Sequence, residues 1–185
     1  PLMISVTFIQ EGSNRTVFGQ TVDAFWATIS HANPISVGIN CGLGASSMKA
    51  NLSEMSRIAN TFTHCYPNAG MPNPLSKTGF DETPEITARE VRKLAEAGLV
   101  NIVGGCCGTT PEHIAEVCKA VKSMEPRKID IEGAGLTNLG IFPDEEESQL
   151  DYERCRHFPH QHTTLSGLEE YSLRPDSNFT MVGER

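Results

Sequence analysis

"VNIVGGCCGTTPEHI", residues 100–114, joins an apolar β-branched run to a helix start through a turn holding Gly104, Gly105, Cys106, Cys107 and Gly108. Thr110 followed by Pro111 has the form of an N-cap and a first helical residue. Beyond them Ile114, Val117, Cys118 and Val121 recur at helical spacing on one face. The same grammar repeats upstream. Apolar runs at 2–9, 35–40, 61–66 and 99–104 alternate with helical patterns near 21–32, 45–59, 84–97 and 111–124. Continuous apolar runs of this length suit buried parallel strands better than half-exposed antiparallel ones. Thr83 and Pro84 open the third helix as Thr110 and Pro111 open the fourth, and Gly98 stands where a C′ glycine belongs. Four consecutive β/α units predict a parallel α/β fold.

From about Pro126 the periodicity fails. The stretch 126–177 carries Pro, Gly and the acidic run Asp144–Glu147, and it reads as a linker. "NFTMVGER", 178–185, is strand-like again and reads as the first strand of a further module. At its other end the chain opens without Met inside a strand-like run, which reads as a piece of something longer.

Composition narrows the function. The chain of 185 residues has net charge −8, and its acidity argues against nucleic acid as a main partner, which needs clustered Lys and Arg. No apolar run reaches the roughly 20 residues of a membrane span, and no basic and apolar leader precedes the first strand. The six cysteines are scattered rather than framework-spaced, so reduced thiols in the cytoplasm are expected. A P-loop, a dinucleotide-binding G-x-G-x-x-G and a nucleophile elbow are all missing.

Three strands end at or just before a cysteine with Gly close behind: "VGINCG" (37–42), "THCYPNAG" (63–70) and "VGGCCG" (103–108). Parallel α/β folds gather the C-terminal ends of their strands around the ligand crevice, so distant cysteines converge there without a CxxC. Adjacent side chains on a strand point to opposite faces, so Cys106 and Cys107 can face one ion only if the backbone leaves the strand path. Gly104, Gly105 and Gly108 permit that. With Cys41 they would form a three-sulfur site with one open position, the ligand count of a catalytic zinc. From spacing alone, inert thiols are the commoner reading, and a vicinal disulfide is a third. Cys118 is expected to pack as a small hydrophobe, and Cys65 precedes Tyr66 and Pro67 without a flexible Gly. Cys155 and "HFPHQH" (157–162) fall in the linker and read as solvated, and His31, His64 and His113 read as surface or capping residues.

"VGINCG" together with "VNIVGGCCGTTPEHI" resembles the zinc-dependent homocysteine methyltransferases. The resemblance implies a (β/α)8 TIM barrel, of which residues 1–125 would be the C-terminal half. It also implies Cys41, Cys106 and Cys107 as zinc ligands and homocysteine as substrate. In that chemistry the substrate thiolate attacks a methyl carbon and methionine leaves. Asn40, beside the first ligand, would hydrogen-bond a ligand sulfur or the substrate, or else only satisfy a loop. Within the family, "CYPNAGMPN" (65–73), "FDETPE" (80–85) and "NRTVFGQT" (14–21) are similar to the cobalamin-dependent branch. "LSGLEEYSLRPDSNFTMVGER" (165–185) is similar to the entry into that branch's folate (pterin)-binding domain, placed here at 178–185. The branch implies cobalamin and methyltetrahydrofolate, bound by folate, cobalamin and activation modules outside this sequence, as is the first half of the barrel. Betaine- and S-methylmethionine-dependent members are the alternative, and a non-catalytic zinc-binding fragment is another.

Overall fold

The computed structural model describes residues 1–129, 163–174 and 176. Four strands, β1 (Met3–Val6), β2 (Ser36–Gly44), β3 (Phe62–Asn68) and β4 (Ile102–Val103), form one sheet in the order β1-β2-β3-β4. Every pairing in it is parallel. Helices α1 (Val22–Ile29), α2 (Ala45–Ile58), α3 (Pro84–Glu96) and α4 (Pro111–Val121) follow the strands one by one. This is the expected α/β fold, a parallel four-stranded sheet with helices, consistent with part of a TIM-barrel-like domain. Among the described residues β1 and β4 each pair on one side only.

Parallel register explains the two faces. Val6, Ile39, Cys65 and Val103 share one row, and they pack with Met48, Leu52 and Met55 of α2 and Val91 and Leu94 of α3. The alternate row holds Ser5, Gly38, His64 and Ile102. A Cβ at Gly38 would stand 2.0 Å from the His64 carbonyl oxygen and 2.5 Å from its ring, so only Gly lets the two strands pass there. His64 is 1% exposed, its Nδ1 lies 3.0 Å from Ser36 Oγ and its ring stacks on Tyr66. The surface reading of His64 is therefore wrong. Strand alternation turns it away from the helices, and the missing Cβ at Gly38 makes room for the ring.

Both Thr-Pro helix starts stand where the sequence puts them, with Thr83 and Thr110 as N-caps and Gly98 at φ 66° after α3. The strands differ more. The run at 99–104 is strand only at Ile102–Val103, because its continuation bends into the cysteine turn, and β2 runs on to Gly44.

Ordered structure inside 126–177 was not anticipated. β5 (Thr163–Ser166) and β6 (Glu170–Leu173) form an antiparallel hairpin whose turn caps α1. The Thr21 amide donates to the Leu168 carbonyl at 2.9 Å, Ser166 Oγ donates to the Ala24 carbonyl, and Arg15 pairs with Glu169. The expected strand at 178–185 lies outside the described residues.

Candidate metal centre

Cys41 stands where β2 breaks register. Asn40 pairs with Tyr66 and Gly44 with Asn68, so three residues of β2 oppose one of β3. The extra length is taken up at Cys41 (φ 59°) and Gly42 (φ 77°), both left-handed. A non-glycine residue there costs about 1–2 kcal/mol, a strain that concentrates at functional positions. Gly42 has no alternative, since a Cβ would lie 2.2 Å from the Phe8 carbonyl oxygen. The departure from strand geometry thus occurs on the Cys41 side as well as in the Gly-Gly-Cys-Cys-Gly turn. The signal was present in "NCGLG", where Gly follows the cysteine inside an apolar run.

Cys106 and Cys107 are held by the edge of β3. The Gly104 amide donates to the Cys65 carbonyl, the Cys106 amide to the Pro67 carbonyl at 2.8 Å, and the Ala69 amide to the Cys107 carbonyl at 2.9 Å. The Cys107 amide donates to Asn68 Oδ1 at 3.1 Å, and Thr109 Oγ1 donates to the Cys106 carbonyl at 2.6 Å. Sequence reasoning missed Asn68, a buried side chain at the last position of β3. Its only cue was an Asn at a strand end between Pro and Ala-Gly.

These segments bring three sulfurs together. Cys41 Sγ lies 3.5 Å from Cys107 Sγ, Cys106 Sγ lies 3.9 Å from Cys107 Sγ, and all three fall within 4.8 Å of one another. A tetrahedron with metal–sulfur bonds of about 2.3 Å has sulfur–sulfur edges of about 3.8 Å. The cluster therefore has the size and the soft donor set of a thiolate metal site. Burial opposes ionisation of Cys41, but hydrogen bonds from Cys107, Cys106 and the Gly42 backbone outweigh it and draw its thiol below the ordinary value. Burial and the two neighbouring thiols push Cys106 up to about 11.

The other candidates stay apart from it. Cys65 is fully buried against Met48, and burial raises its thiol to about 12. Cys118 is exposed, which corrects its placement in the core. The buried stripe of α4 runs through His113 and Val117, because the His113 ring turns inward to cap the helix and leaves Ile114 and Cys118 on the flank. His113 is thus capping and buried, not a surface residue. His31 is exposed. Asn40 is half-buried beside Cys41 in register with Tyr66, and no hydrogen bond of the described residues runs through its side chain. Cys155 and the histidines of 157–162 lie outside the described residues. Among the described residues no helix is long and apolar enough to cross a membrane.

The parallel sheet, with three thiols at the C-terminal ends of β2 and β4, agrees with the comparison with known families. The family model for homocysteine S-methyltransferase matches residues 1–121. This chain belongs to the homocysteine S-methyltransferase family.

Proposed function

We propose that this chain is the metal-binding part of a cobalamin-dependent methionine synthase. Homocysteine sulfur would then take its methyl group from methylcobalamin, re-formed from methyltetrahydrofolate, to give methionine. The observation that carries the reading is the cluster of Cys41, Cys106 and Cys107 thiols within a homocysteine S-methyltransferase match. The cobalamin branch is supported by "CYPNAGMPN", "NRTVFGQT" and the stretch 165–185, all similar to that branch.

Cys41, Cys106 and Cys107 would hold zinc. The bound ion supplies positive charge that keeps a substrate sulfur anionic near neutral pH, where a free thiol of pKa about 8.5 is mostly protonated. The chain's own residues set how strongly that charge is felt. Three thiolates donate more density than nitrogen or oxygen ligands would, so a sulfur joining them keeps its nucleophilicity. The left-handed backbone at Cys41 turns its thiol toward the Cys107 side, and Asn68 fixes the Cys107 amide. Asn40, one residue before Cys41, is proposed to donate from its amide to the substrate. Because residues 1–185 present only the metal end of the site, by themselves they are expected to give no turnover.

The test offers homocysteine with methylcobalamin, betaine or S-methylmethionine to the zinc-loaded barrel completed by a first half, and measures methionine. Product from methylcobalamin is expected. Product from betaine or S-methylmethionine alone would assign the chain to those members of the family.

A further inference from the structure

The three thiols come from two separate strand ends, and something must hold those ends at metal distance before any ion arrives. Backbone pairing fixes Cys106 and Cys107 against β3, and β2 pairs with β3 at Asn40 and Gly44, but the residues between, Cys41 among them, bulge out of that ladder. A second set of contacts reaches both segments from the loop before α3 and the first turn of α4.

Glu82 is the hub. Its amide donates to the Ala69 carbonyl at 3.1 Å, and the Ala69 amide in turn donates to the Cys107 carbonyl. Its carboxylate accepts from Thr87 Oγ1 at 2.7 Å and faces Gly44, while its Cγ lies against Gly70 beside the Asp81 carboxylate. A Cβ at Gly44 would stand 3.2 Å from Glu82 Oε1, and one at Gly70 would stand 2.6 Å from Glu82 Cγ. Gly44 closes the bulge that carries Cys41 and N-caps α2. The Glu82 carbonyl is the remaining contact, and it lies 3.2 Å from Nε2 of His113.

His113 completes the ring of contacts. The Thr110 amide donates to its Nδ1 at 3.2 Å, and Thr110 Oγ1 lies 2.9 Å from the same atom. An Nδ1 that accepts an N–H has its lone pair in use, so the ring proton sits on Nε2 and is donated to the Glu82 carbonyl. The imidazole is 2% exposed and does two different jobs with two different atoms. Nδ1 caps α4, whereas Nε2 ties the start of α4, and with it the turn of Cys106 and Cys107, to the loop that braces Gly44 and Gly70.

We propose that His113 is a positioning residue for the thiol site, acting through its Nε2–H bond to the Glu82 carbonyl. The inference deepens the zinc reading above and rests on it. Groups that orient metal ligands from behind typically change metal affinity by about 10–100-fold when removed.

The two jobs separate by substitution in the full chain. The carbonyl oxygen of His113→Asn stands near the Nδ1 position and keeps an acceptor for the Thr110 amide, with nothing to donate to Glu82. The amide of His113→Gln reaches the Nε2 position and restores that donor. Zinc affinity is read by competition with a chromophoric chelator, and the thermal midpoint of the metal-free chain is read alongside it. Expected are zinc binding about 10–100-fold weaker in His113→Asn, a midpoint close to the unaltered chain, and recovery of most of the affinity in His113→Gln. Unaltered zinc affinity in His113→Asn, or weaker binding in His113→Gln than in His113→Asn, overturns the proposal and leaves a helix cap only. If His113→Asn does not fold, His113→Gln decides, and a folded variant that has lost zinc affinity overturns it. Failure of the unaltered chain to bind zinc overturns the zinc reading and this inference together.

Discussion

Replacing Cys107 with Ala removes a sulfur that lies 3.5 Å from Cys41 Sγ and 3.9 Å from Cys106 Sγ. Those two distances differ from an ideal tetrahedral edge of about 3.8 Å by only a few tenths of an ångström. Four-ligand structural zinc sites bind with apparent free energies of about 10–16 kcal/mol, or about 2.5–4 kcal/mol per ligand if shared equally. Losing one thiolate should therefore weaken binding by roughly a hundred- to a thousand-fold. Chelator competition at neutral pH under reducing conditions reads this directly, with zinc per chain measured by elemental analysis. At most one zinc is expected in the unaltered chain, and Cys41→Ala and Cys106→Ala should match Cys107→Ala. Cys65→Ala is the control. Its thiol packs against Met48 in the core, so its loss should lower stability by about 1 kcal/mol while zinc affinity holds. Wild-type affinity in Cys107→Ala, or an equal loss in Cys65→Ala, would refute the three-thiolate site.

Three further outcomes are expected. Asn68→Ala leaves the Cys107 amide without its 3.1 Å acceptor, and zinc affinity should fall by about 10–100-fold in the same competition; unchanged affinity would remove Asn68 from the site. Burial lowers His64 from its ordinary 6.5 to about 4, so between those values the unfolded chain binds more protons than the folded one. Stability should then fall as pH drops through that window, by at most about 3 kcal/mol and by less where water reaches the ring; urea titrations should find a flatter pH profile in His64→Gln. Arg127 donates to the carbonyls of Ser56, Ala59 and Thr61 just where α2 ends. Arg127→Ala should cost about 2–4 kcal/mol of unfolding free energy, with little recovery in Arg127→Lys, which lacks the planar fork.

Local chemistry in the sequence was enough to determine the four β/α units. A Pro at the first helical position, a Thr before it and a Gly after the last turn act within a few residues, so the helix starts at Thr83 and Thr110 and the stop at Gly98 were readable one by one. The buried character of the strands was equally local, because apolar runs of that length have few other uses. Spacing made Cys41, Cys106 and Cys107 candidates without choosing between metal and inert thiols.

Convergence itself was a tertiary matter. The 3.5 Å approach of Cys41 to Cys107 depends on β3 lying between β2 and β4, and on a left-handed backbone at a non-glycine residue that no propensity favours. The burial of His64 and His113 was missed for the same reason. Whether an imidazole is buried depends on what lies opposite it, the absent Cβ of Gly38 for His64 and the Glu82 carbonyl for His113. Cys118 and the hairpin at Thr163–Leu173 were likewise decided by packing partners far along the chain, His113 turning the stripe of α4 and α1 receiving the hairpin. Periodicity describes one element at a time, and the partner of a polar side chain is a property of two.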